Sequence, residues 1–272
     1  MRTEGQTFAA DTITSPARVV NVTQIMGKHF VVSKTQLAVN PIGFSNAFLY
    51  EAMKASREVM RNFEVSFFRS SGGSASGGGV TATAAGTGRV MKSFDDFLTS
   101  EKHKVSSTTL GGADFASGAS ATTLREVVFN TLIQRLWENG GNPNWVFTAG
   151  PGKRTISSYD GTIVAGASTI TINENASSNT IQRAINSYIT DFGLINVALD
   201  RFVPKGGTGT NLDGAVYILD MPRTQIAILR PVAFERLADD GDRVRGMTLG
   251  ELSLKVMNQD SHGRLSALSS IA

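Results

Sequence analysis

From Phe44 to about Phe68 neither Gly nor Pro interrupts the chain, and apolar side chains recur at Leu49, Ala52, Met53, Val59, Met60, Phe63 and Phe67. This spacing follows the helical period and predicts one amphipathic helix. At 1.5 Å per residue it is about 37 Å long, a beam well beyond the usual three turns. Lys54 and Glu58, four residues apart, supply an ion pair on its wet side. Any fold built on such a beam must offer a surface to its apolar stripe.

The segments before it are of a different kind. Residues 1–17 are polar, weakly patterned and closed by Pro16, so they read as an arm without a core of its own. The β-branched runs Arg18 to Ile25 and His29 to Ser33 flank Met26-Gly27-Lys28, the pattern of a hairpin turning at Gly27. A two-stranded ribbon over 18–38 is marginal alone and must pack on a partner or a neighbouring subunit. Its exposed contact residues are then Arg18, Ile25, Gly27, Lys28 and Phe30.

Residues 69–90 are rich in Gly, Ser, Ala and Thr and read as a loop. Thr123 to Glu126 fits a capping box that opens a second helix through Leu124, Val128, Leu132 and Leu136, ending at Gly140-Gly141. A strand at Trp145–Thr148 and a short helix from about Lys153 to Tyr159 follow. Beyond them come short apolar runs, Leu194–Leu199, Val216–Leu219, Gln225–Leu229 and Leu252–Met257, separated by Gly, Pro and Asp turns. Helices early and strands late define an α+β class, without the regular βαβ alternation of a parallel sheet.

With 272 residues the chain fits one large unit or two closely joined ones. Charged residues are 18% against 41% hydrophobic, which fits either a surface spent on neighbours or loops in which Gly, Ser and Thr replace charge. A formal charge of +3 is too small for a chain that grips nucleic acid, and no basic cluster is visible; a container for DNA and a bystander are both compatible with it. There is no cysteine, so thiol chemistry is excluded and folding in a reducing cytosol is expected. No apolar run approaches a membrane span and the N-terminus lacks the order of a signal peptide, so the sequons at Asn21 and Asn175 carry no meaning.

The chemical motifs fail on inspection. Gly150-Pro151-Gly152-Lys153-Arg154-Thr155 suggests a phosphate loop, but Arg154 stands where Ser or Thr must hold magnesium and Phe147 where the first Gly belongs. Asp191-Phe192-Gly193 matches a kinase triplet without the other kinase elements, and reads as a core Phe with a bend into the next strand. Asp239-Asp240-Gly241-Asp242 lacks the spacing of a calcium loop and reads as a solvated turn. His29, His103 and His262 are far apart, so no zinc site is expected. Ser45 lacks the second Gly of a nucleophile elbow and reads as a helix N-cap. No enzymatic site and no cofactor are expected.

Read together, Tyr188 to Gly193, Asp200 to Pro204, Val216 to Asp220, Ala227 to Pro231, Leu237 to Asp242 and Leu254 to His262 occur in an order that resembles the major head proteins of tailed bacteriophages. Thr23 to Ile25, the long helix, Glu138 to Pro143 and Lys153 to Ile156 share the resemblance, which spans essentially the whole chain. It implies the Hong Kong 97 phage capsid fold: an arm at 1–17, an extended loop at 18–38, a peripheral domain at 39–120 and 235–272 with a spine helix, and an axial domain at 121–234. It also implies hexamers and pentamers of the chain forming an icosahedral head around double-stranded DNA, assembled in the bacterial cytoplasm, with non-specific contact to the DNA. Portal and decoration proteins are the implied partners, and the arm following directly on Met1 predicts a separate scaffolding protein. Some capsids of this fold crosslink through a loop Lys, for which Lys28 is the candidate. A nanocompartment shell of the same fold, enclosing protein cargo, is the alternative.

Overall fold

The computed structural model describes residues 19–39, 43, 46–68, 88–98, 104–105, 124, 126–157, 159, 186–204 and 214–268. The arm at 1–17, Arg18, Ser45, most of the 69–90 loop, His103 and Thr123 of the expected capping box lie outside them.

The long helix is α2, Ala47–Phe68. Its N-cap is Asn46, whose Oδ1 accepts from the amides of Phe48 and Leu49 at 3.0 and 3.2 Å. Ala52, Ala55, Val59 and Phe63 form its buried stripe, and the two alanines let the helix lie close on a sheet. That sheet has three antiparallel strands in the order β1, β8, β7, where β1 is Gln24–Ser33, β7 Thr224–Leu237 and β8 Arg243–Val256. A short helix α1, Lys34–Ala38, follows β1 and is capped by Ser33.

Within the segment 18–38 expected as a hairpin, Gln24–Ser33 is one continuous strand, followed by α1. Gly27 and Lys28 lie in mid-strand opposite Leu249 and Thr248, and the partner of β1 is a strand more than two hundred residues away. Gly27 serves packing instead of turning: a Cβ there comes 3.1 Å from the Thr248 carbonyl oxygen. The expected Lys54–Glu58 pair is also replaced. Because β1 crosses the helix, Glu58 binds Lys28, while Lys54 lies 3.6 Å from Glu51.

The runs read as Gln225–Leu229 and Leu252–Met257 belong to much longer strands. β7 continues through Pro231, which an edge strand tolerates, with register shifts between Ile228 and Arg230 and between Arg230 and Ala233. A division at 234/235 thus falls inside β7.

The second sheet has six strands in the order β2, β9, β6, β3, β5, β4. These are β2 Lys104–Val105, β3 Trp145–Thr148, β4 Ser187–Thr190, β5 Gly193–Leu199, β6 Gly214–Leu219 and β9 Gly263–Leu268. β3–β5 and β2–β9 are parallel and the other pairs antiparallel. β9, C-terminal in sequence, pairs here and not with the three-stranded sheet.

Helix α4, Glu126–Glu138, covers this sheet with Phe129, Leu132, Ile133 and Leu136 fully buried against Val146, Ile195 and Ile218. Each such side chain contributes about 1.5–3 kcal/mol. The helix ends as its glycines predict: Gly140, at φ +79°, and Gly141 donate to the Trp137 and Leu136 carbonyls at 2.9 Å, the paired bonds of a Schellman cap. Helix α5, Gly150–Ile156, starts earlier than expected, with Pro151 in its first turn. Between the two sheets Phe68, Phe97, Leu98, Val203, Tyr217 and Leu254 form a shared core. The short helix α3, Phe94–Phe97, closes it, and its Asp95 lies 3.1 Å from Arg264 of β9.

Candidate intersubunit surface

Strand alternation divides the contact residues expected on the 18–38 segment. Along β1 every odd position from Ile25 to Ser33 is exposed, while the even positions face α2. Ile25 and Gly27 therefore look away from the helix, together with His29 and Val31. Lys28 and Phe30 turn inward: Lys28 binds Glu58, and Phe30 meets Phe48 of α2 and Phe234 of β7 at ring-centroid distances of 5.3 and 6.0 Å. Arg18 lies outside the described residues.

A further exposed apolar surface lies on β7 and α2. β7 is an edge strand, and Ile226, Ile228 and Leu229 are 52%, 62% and 63% exposed. On α2, Leu49, Met53 and Met60 were grouped with the core by their spacing, yet they form a second stripe and are 55–58% exposed. A groove between the two elements is floored by Met60, Phe63, Phe67, Ile226 and Leu252 and rimmed by Arg57 and Arg61. Exposed apolar edges of this length mark association surfaces. The signal was available in the uninterrupted run from Ile226 to Leu229, which is apolar on both strand faces.

Behind the edge, a buried carboxylate ties the three-stranded sheet together. Glu251 of β8 accepts from Thr23 at 2.6 Å, from Arg89 at 2.6 Å and from Arg230 at 2.9 and 3.0 Å. The Thr23 hydrogen bond, then those of Arg230 and the two guanidinium charges, hold its carboxyl below the usual carboxylate range against the opposing effect of burial.

The motifs that suggested chemistry have structural employment. Lys153 lies on α5 and donates to the Val197 carbonyl at 3.3 Å and to Asn186 at 3.4 Å; burial lowers its pKa. Gly152 allows α5 to sit against β3, since a Cβ there would be 2.0 Å from Thr148 Oγ1. Asp191-Phe192 is the two-residue turn between β4 and β5, with Gly193 at φ +135° and the Phe192 ring tilted against Trp137 at 5.6 Å. Asp239 and Asp240, in the turn between β7 and β8, face Lys34, Arg236, Arg243 and Arg245 at 3.3–3.8 Å. His262 is buried just before β9, its Nδ1 accepts from the Asp220 amide at 3.2 Å, and it lies apart from His29 of β1. Among the described residues no group of three His, Cys, Asp or Glu is placed to hold a metal, and no helix is long and apolar enough to cross a membrane.

A three-stranded sheet under a spine helix, joined to a mixed sheet under a second helix, is the architecture of phage capsid and encapsulin shell subunits. Gordonia phage Cozz aligns at TM-score 0.55 and 11% identity, over 96% of this chain and 78% of that one. The holo-SrpI encapsulin complex of Synechococcus elongatus PCC 7942 aligns at 0.54 and 7%, over 90% and 74%. The capsid of Myoviridae phage XM1 aligns at 0.52 and 12%, over 90% and 74%. No curated protein matches the chain in sequence. The family model for the SU10 major capsid protein matches residues 1–269, and the chain belongs to that family. It is a structural protein of the phage virion, and its open strand edge and helix stripe are surfaces of a shell subunit.

Proposed function

We propose that the chain assembles as hexamers and pentamers into the icosahedral head that encloses the double-stranded DNA of a tailed phage. The observation that carries this reading is the family match over residues 1–269 in a chain that leaves large apolar side chains exposed on β1, β7 and α2, among other elements. Many modest interfaces, repeated over a shell, multiply into a stable container. With a formal charge of +3, contact with the packaged DNA is non-specific. Assembly takes place in the host bacterial cytoplasm with a separate scaffolding protein, a portal and decoration proteins, and the chain itself carries no catalytic role. The encapsulin likeness, at 7% identity, speaks for the fold alone.

The peripheral domain in this reading is α2 with the three-stranded sheet, and the axial domain is the six-stranded sheet with α4. This division keeps β7 whole and assigns β9 to the axial part. On the 18–38 segment, Ile25 and Gly27 meet the neighbouring subunit directly, Lys28 and Phe30 act by holding β1 on α2, and Arg18 leads into the arm. The test is Ile25→Lys. It lowers the yield of shells at least tenfold while leaving the unfolding midpoint of the free subunit unchanged; unchanged shell yield removes Ile25 from the interface.

A further inference from the structure

We propose that the uncharged half of β7, Thr224–Leu229, pairs antiparallel with the same segment of a second copy about a two-fold axis at Ala227. This rests on the shell-subunit reading and names one of its contacts.

The first ground is where β7 carries devices that block edge pairing. From Arg230 onward it holds Arg230, Pro231, Glu235 and Arg236, and its two register shifts fall on either side of Arg230. Charges, proline and bulges are the means by which edge strands avoid pairing with other chains. Thr224–Leu229 holds no charge and no proline, and the first register shift touches only its end at Leu229, yet it lies on the same open edge with Ile226, Ile228 and Leu229 largely exposed. One half of the strand is guarded and the other is left open.

The second ground is self-complementarity. A two-fold axis perpendicular to a sheet keeps each side chain on its own face, so a residue at the axis pairs with itself. With Ala227 there, Ile226 of one copy stands opposite Ile228 of the other. Both lie on the α2 side, since they pair with Leu254 and Leu252 of the core. Four isoleucines then cover the groove between α2 and β7. Shifting the axis by two residues to Leu229 breaks the isoleucine pairing, because each Ile228 then stands opposite Arg230 of the other copy.

The third ground is the charge order on α2. Arg57, Arg61 and Glu64 line the same groove, and the two arginines make no ion pair among the described residues. Reversed by a two-fold axis, the order Arg, Arg, Glu turns Arg57 of one copy toward Glu64 of the other. The contact is isologous, the arrangement that closes instead of growing into fibres.

The chain has no cysteine, so an engineered thiol reports one contact. Opposite Cα atoms in an antiparallel pair are about 4.5–5.5 Å apart, within the roughly 4.4–6.8 Å a disulfide spans. Ala227→Cys and Ala233→Cys are expressed, assembled and oxidised, with particles checked by electron microscopy. The expected result is a covalent dimer as the main product for Ala227→Cys and monomer for Ala233→Cys, beyond the bulge. Intact shells with no Ala227→Cys dimer, or equal dimer from both variants, overturn the strand pairing and leave the capsid reading standing. Monomeric protein under every assembly condition overturns both.

Discussion

Phe68, the last residue of α2, and Tyr217, in the middle of β6, are joined twice: their rings lie 5.2 Å apart, and the Tyr217 hydroxyl donates to the Phe68 carbonyl at 3.0 Å. The bond satisfies a carbonyl at the helix end that has no partner within the helix. The same hydroxyl meets Asp95, which also receives Arg264. The spine helix is thereby fixed to the six-stranded sheet. Tyr217→Phe keeps the ring and removes the hydroxyl, whose one proton is shared between the Phe68 carbonyl and Asp95, so it costs about 1–3 kcal/mol. Urea unfolding of the unassembled subunit measures this; a loss below a few tenths of a kcal/mol assigns the junction to ring packing alone.

Glu251 makes the three-stranded sheet sensitive to acid. Its folded pKa lies below the unfolded one, so its contribution is complete above the unfolded value of about 4.3 and is lost as pH falls through the folded value. Urea midpoints followed from pH 6 to pH 3 fall, and Glu251→Gln is less stable at pH 6 with a shallower fall. Parallel curves for the two proteins assign the acid sensitivity to other carboxylates.

Gly246 of β8 is required by the aromatic cluster above it. A Cβ there lies 2.6 Å from Phe30 Cζ and 2.9 Å from Phe234 Cε2, and Phe30 is already packed against Phe48. Gly246→Ala pushes the rings apart at a cost of about 1–3 kcal/mol, as overpacked cores do. Thermal unfolding reads the loss. Gly246→Ala combined with Phe234→Leu recovers part of it if the clash is the cause.

Lys153→Ala removes the amine that holds β5 to α5 through the Val197 carbonyl. The expected loss is on the order of 1 kcal/mol, with shell formation retained. Binding of ATP or inorganic phosphate by the parent protein, abolished in this variant, contradicts the structural role given to Lys153.

The parts legible in the sequence are those set by local chemistry. The period of α2, the Gly140-Gly141 end of α4 and the Asp191-Phe192 turn each depend on neighbours a few residues away. The β1 strand is not legible locally, because Gly27 has the look of a turn residue, whereas its smallness answers to Thr248 on a strand distant in sequence. The length of β7 was hidden by Pro231, which a central strand excludes and an edge strand accepts. Strand order is not local either, and it decides that Ile226 and Ile228 stand at an open edge. The second stripe of α2 had the right spacing for core, but one helix can bury only the side that faces a sheet.

The most direct test is electron microscopy with sedimentation of the expressed chain, alone and together with the proposed scaffolding protein. The account predicts closed shells or capsomer rings in at least one of the two conditions. A monomer that persists in both contradicts the assignment of the β7 edge and the α2 stripe to subunit contacts.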